Sequence, residues 1–125
     1  MNIKLGFFLL TSLFVMSSQT LAAPQSEIDA IKKAVESGYQ SQRNLAFEYS
    51  RGWGDAGDSD YVPKDIIKSC AWRKIIVLSN HEKLDVTDYS NESIDCKNVH
   101  PVDNEKVWQL VFAGLSLIEQ AKNTL

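Results

Sequence analysis

Three aspartates, Asp55, Asp58 and Asp60, crowd the stretch GDAGDSD at residues 54–60. Carboxylates beside backbone carbonyls are what a hard cation binds. Their spacing does not match the helix–loop–helix calcium motif, and no glutamate closes the loop at the right distance. A solvated acidic turn is the plainer reading. His81 and His100 are candidates for metal binding or acid–base work, but they share no i,i+4 relation. Exposed loop histidines account for them more simply. No G-x-S-x-G elbow presents a serine nucleophile. No phosphate-cradling loop appears either, because the glycines of 52–57 lead toward aspartates rather than a lysine. A second acidic run, Glu82, Asp85, Asp88, Glu92 and Asp95, reads as a solvated face, with docking of a basic partner as the alternative. Neither catalytic, cofactor-binding nor metal-binding residues are assigned.

The elements that would carry these residues are helical. Ser26 followed by Glu27, Ile28 and Asp29 is close to a capping box. It opens a helix that buries Ile28, Ile31, Ala34 and Val35 and ends at Gly38. A second helix, Gln40 to Arg51, presents Gln42, Leu45, Ala46 and Tyr49 on one face, and Gly52 stops it. A Gly- and Asp-rich loop follows, and Pro63 stands at or just before the next helix. That third helix, Lys64 to about Ser79, is apolar nearly all round, through Ile66, Ile67, Cys70, Ala71, Trp72, Ile75, Ile76 and Leu78. It is expected at the buried centre. Asn80 to Asp103 is polar and lacks a 3.6-residue apolar repeat. A last helix, Asn104 to Lys122, sets Val107, Trp108, Val111, Phe112, Leu115 and Ile118 on one face. No strand-like alternation of useful length occurs, so the expected class is all-α.

The chain opens with Lys4, an apolar run from Leu5 to Met16, and small residues up to Ala22–Ala23. This is the pattern of a secretory signal peptide over residues 1–22. An uncleaved anchor would need roughly 20 apolar residues, and the polar residues from Ser17 interrupt too soon. The remainder, 23–125, is long enough for one domain with a modest core. Losing Lys4 moves the net charge from −3 to −4, which lacks the basic footprint of nucleic-acid binding. Cys70 and Cys96 are the only cysteines. In an exported chain they read as one disulfide, with two free thiols as the alternative. Such a bridge would contribute about 3.5 kcal/mol in the chain-entropy model.

Ala34 and Gly38, then Ser41–Gln42, Leu45–Ala46, Tyr49 and Gly52-Trp53-Gly54, form an ordered set. Val62-Pro63-Lys64-Asp65, Lys68–Ser69 and Trp72 continue it. In this sequence the segment 34–77 resembles one unit of the Sel-one-like repeat family, helix-pair repeats related to tetratricopeptide repeats. The resemblance implies an antiparallel helix pair, with Ala46 and Ser69 at the close approach and Tyr49 and Trp72 filling wider gaps. It departs from the family pattern in an enlarged turn, about Asp55 to Tyr61, and in Ile75, Ile76 and Val77. No second complete unit follows, so the implied form is one pair closed by the first and last helices and braced by the disulfide.

The family resemblance implies interaction with a protein or peptide rather than catalysis, with no cofactor. The expectation is therefore an exported, non-enzymatic binding protein, periplasmic before secreted. Its more specific form is an immunity or inhibitor protein against a cell-wall-targeting enzyme. A small hydrolase using His81 or His100 is the alternative from another class, and a purely structural envelope component is a third. Trp53, between two glycines, is either a plug over the helix ends or an anchor for a partner. With Asp55, Asp58, Asp60 and Tyr61 it forms the candidate partner-binding turn. Nucleic acid and membrane are not expected as partners.

Overall fold

The computed structural model describes residues 22–124. The expected leader thus lies, up to residue 21, outside the described residues. Five α-helices and one 3-10 turn make up the described chain. They are α1 (Gln25–Ser37), α2 (Tyr39–Arg51), α3 (Ile66–Ser79), α4 (Val86–Lys97) and α5 (Asn104–Asn123), with the 3-10 turn at Pro101–Asp103. Helix α3 packs against α2, α4 and α5, while α1 lies across α2 and α5. No strand occurs among the described residues; Trp53 and Val62 form one isolated antiparallel bridge. The class is all-α.

Helices α2 and α3 form an antiparallel pair closed at its corner by backbone bonds. The Gly52 N–H donates to Glu48 O at 2.7 Å, and the Asp65 N–H to Tyr49 O at 2.9 Å. Gly52 carries φ 77°, so it ends α2 where a side chain would be strained. Helix α3 starts later than expected. Pro63 and Lys64 precede it, and Asp65 is its N-cap, accepting from the N–H groups of Ile67 and Lys68. Along the pair, Ala46 is 0% and Ser69 1% exposed. The Ser69 hydroxyl donates to the Ala46 carbonyl at 3.1 Å, so the two backbones meet there with no bulk between them.

The core gathers Leu45, Tyr49, Cys70, Ala71, Trp72, Ile75 and Ile76 around α3, with Ala34, Val107, Val111 and Ile118 from α1 and α5. Gly114 lets α5 approach, since a Cβ there would lie 2.5 Å from Ile75 Cδ1. Several apolar expectations are corrected. Ile28, Ile66, Leu78, Trp108 and Phe112 are exposed. In α1 the inward position belongs to Glu27 instead of Ile28, because Glu27 finds a phenol and an ammonium inside. Ser26 makes no capping box. Pro24 stands at the cap position without a side-chain bond, and the Ser26 hydroxyl donates to Tyr61 O at 2.6 Å. It ties α1 to the loop before α3.

The largest correction is α4, which falls inside the segment expected to be irregular. Asp85 and Asp88 form a capping box at its start. At its end the Cys70–Cys96 disulfide, with Cα atoms 4.7 Å apart, fastens α4 to α3. Replacing both cysteines, Cys70→Ala with Cys96→Ala, is expected to lower unfolding free energy by about 3 kcal/mol. Urea denaturation of the folded domain checks this, and a loss within 0.5 kcal/mol would show that the bridge does not restrain the chain.

Candidate functional site

The residues singled out in the sequence fall into three groups in space. The first is the turn between α2 and α3. Trp53 and Val62 exchange two backbone bonds, each 2.9 Å, which pinch the loop into a closed hairpin of residues 54–61. Asp58 builds it from within, its carboxylate accepting from the Asp55 N–H at 2.8 Å and its own N–H donating to Asp55 O at 2.9 Å. Asp60 accepts from the Trp53 indole N–H at 2.9 Å. The Trp53 ring meets Phe47 edge-on at 6.5 Å, and Trp53 stays 45% exposed. It is therefore no core plug. Asp55 is exposed and its carboxylate accepts no hydrogen bond from the described residues, while Tyr61 is half-buried. Burial first, then the charge of Asp60, raises the carboxyl pKa of Glu48 beside the turn.

The second group is the acidic run, and it is not a solvated face. Asp88 is 2% exposed. Its Oδ2 accepts from the Tyr39 hydroxyl and from the Asp85 N–H at 3.1 Å. Arg43 Nε lies 3.1 Å from Oδ1, an ion pair whose N–H is not aligned for a hydrogen bond. Asp95 pairs with Arg73 at 2.8 Å, and its Oδ2 lies 3.1 Å from the Ser69 hydroxyl, whose single proton it shares with Ala46 O. Glu92 pairs with Lys74 at 2.7 Å, and Lys74 lies over the Trp108 ring. Glu82 and Asp85 are exposed; Glu82 stands beside His81 at 3.9 Å, and Asp85 caps α4. Residues 88, 92 and 95 thus line one face of α4, behind the Asp85 cap, charged where apolar residues were looked for. The signal was present as the Asp85-x-x-Asp88 cap and the i, i+3, i+7, i+10 carboxylates.

A matching device holds α1. Glu27, 1% exposed, accepts from the Tyr49 hydroxyl at 2.7 Å and from the Lys68 ammonium, which also lies over the Tyr49 ring at 5.5 Å. Burial, then the bond to Glu27, pushes the Tyr49 phenol far above its ordinary value. The bond to Asp88, then burial, pushes Tyr39 up to about 12.

The third group, the histidines, does not gather in space: His81 lines a cleft with Gln42, Asn80 and Lys122, and His100 does not. His81 is exposed on the α3–α4 connection, and His100 caps the 3-10 turn, its Nδ1 accepting from the Val102 N–H at 3.2 Å. Among the described residues, no three His, Cys, Asp or Glu side chains gather as a metal site, and no helix is long and apolar enough to cross a membrane. No family model matches the chain, and neither a curated protein nor a solved structure does so.

Both perturbed phenols favour their neutral forms in the folded chain. Their stabilisation is complete below about pH 10, the unfolded phenol value, and is lost as pH rises toward the folded values. Alkaline titration followed at 295 nm is expected to show late tyrosine ionisation above about pH 11, coupled to unfolding. Tyr39→Phe and Tyr49→Phe should each remove part of that late phase; an unchanged titration in both would contradict these hydrogen bonds.

Proposed function

We propose that the chain is an exported, non-enzymatic protein-binding module of the Sel-one-like repeat type, acting by protein–protein interaction in a bacterial envelope. The observation that carries the reading is Trp53, held half out of the molecule by its own turn. Its indole is already fixed by Asp60 and Phe47, so little conformational freedom is lost when a partner covers it. Asp55, Asp58 and Asp60 place negative charge in the same turn, with the Arg51 guanidinium over Phe47 on its other side. A partner surface with an apolar pocket inside a basic rim is complementary to that arrangement.

Further support comes from the scaffold. The small-residue contact of Ala46 with Ser69 agrees with the repeat-like pair, and a disulfide is the kind of bond that persists in oxidising compartments. The histidines, exposed on separate segments, do not favour the hydrolase alternative. Inhibition of a cell-wall-targeting enzyme is the more specific form of the proposal. It rests on format, a small and disulfide-braced exported domain, and a fold alone names no target.

The test immobilises the mature chain and measures saturable binding from envelope extract, with the bound protein then purified and titrated. Trp53→Ala is expected to weaken binding at least tenfold while leaving the circular-dichroism melting profile in place. Equal affinity for the variant would remove the turn from the interface. An activity abolished by His81→Ala or His100→Ala in a folded chain would overturn the binding reading itself.

A further inference from the structure

At the opposite pole of the helix pair lies a feature that the Trp53 turn does not touch. Gly38, the first turn of α2, the end of α3 and the last turn of α5 enclose a cleft of about 650 Å³, a volume usual for small-ligand sites. The 13 residues of α2 separate it from the turn by ~20 Å at the α-helical rise.

Gln42 lines this cleft and is only 2% exposed. Asn80 Nδ2 donates to Gln42 Oε1 at 2.7 Å and to Ile76 O at 3.0 Å. The second bond identifies the Asn80 nitrogen as the donor, so the Gln42 oxygen must face it and Gln42 Nε2 is turned away. Among the described residues no protein acceptor serves that Nε2. Nor is it sealed in, since among the described residues the fully enclosed side-chain polar atom without a hydrogen bond is Asp88 Oδ1. The donor therefore opens onto the cleft.

Helix α2 begins at the same place. Gly38 is both the C-cap of α1 and the N-cap of α2, and no side chain caps α2, so its first N–H groups stay free beside the carbonyl end of α1. Space beside Gly38 is open, for a Cβ there would meet nothing within 4 Å. Lys83 and Lys122 also line the cleft, with Glu36 and Glu82 among the exposed residues at its edge. Gln42 thus lies deep, while two lysines and two glutamates, all exposed, share the rim. A ligand with an oxyanion at its inner end and a cationic or donor group further out is complementary to this order.

We propose that the cleft binds the carboxylate of a small zwitterionic ligand, either the free end of a short peptide or an amino-acid-like molecule. Gln42 Nε2 and the start of α2 face the oxygens, and Lys83 and Lys122 supply positive charge. The inference is independent of the partner-binding turn and of the repeat resemblance.

Titration of the 15N-labelled chain with triglycine, followed by NMR, tests it. Saturable shifts are expected at the Gln42 side-chain amide and at the backbone N–H groups of Gly38 and Tyr39, which line the cleft. Triglycine amide should bind at least tenfold more weakly. Glycine separates the two sources: affinity equal to that of triglycine supports an amino-acid-like ligand, and clearly weaker affinity supports a peptide end. Lys122→Ala, at an exposed position, should weaken binding several-fold, and Gln42→Leu should abolish it. If Gln42→Leu does not fold, the wild-type and Lys122→Ala titrations decide. Absence of saturable shifts with both triglycine and glycine, or equal binding of triglycine amide, would overturn the proposal.

Discussion

The close approach of α2 and α3 at Ala46 and Ser69 is the constraint on which the other helices depend. Glu27 of α1 takes one donor from α2, Tyr49, and one from α3, Lys68. Helix α4 reaches both helices with two carboxylates, Asp88 against Arg43 of α2 and Asp95 against Arg73 of α3. A carboxylate can serve two helices at once only if those helices stand at a fixed, short separation. Ser69 sits where these requirements meet, since its hydroxyl donates to Ala46 O and also reaches Asp95.

Apolar burial and ion pairing therefore divide the work. Leu45, Ile75, Ile76, Val107 and Val111 supply the non-directional driving force. Taking Glu27 and Asp88 out of water is unfavourable, and phenol hydrogen bonds together with the paired cations largely offset that cost. Such pairs add little net stability but disfavour other placements of α1 and α4, because a shift by one residue would leave a buried charge unpaired. The disulfide then shortens the unfolded ensemble of the segment between Cys70 and Cys96.

The paired helices were legible in the sequence because their signals are local. Gly52 ends one helix, Leu45, Ala46 and Tyr49 repeat on one face, and α3 is too apolar to lie anywhere but inside. Helix α4 escaped because its inward face is written in aspartate and glutamate, of which Asp88 is buried, and a search for apolar periodicity passes over these. The direction of Glu27 was hidden for a similar reason: its partners lie 22 and 41 residues away. Trp108 and Phe112 were misplaced onto the core face since they flank it at helical spacing. At the turn, the aspartates were visible as a cluster, but their uses were not. Asp58 shapes the loop and Asp60 orients Trp53, and both depend on a fold-back that composition does not specify.

The two ends of the helix pair accordingly offer different chemistry, an acidic aromatic turn at one and a donor-floored cleft at the other. Both keep their geometry only while the pair keeps its spacing. The most direct measurement is a double-mutant cycle of Ala46→Leu and Ser69→Leu by urea denaturation. Each substitution should cost about 2–3 kcal/mol through overpacking, and the pair should depart from additivity by more than about 0.5 kcal/mol. Single costs below about 0.5 kcal/mol, the range of surface substitutions, would show that the two helices do not meet there.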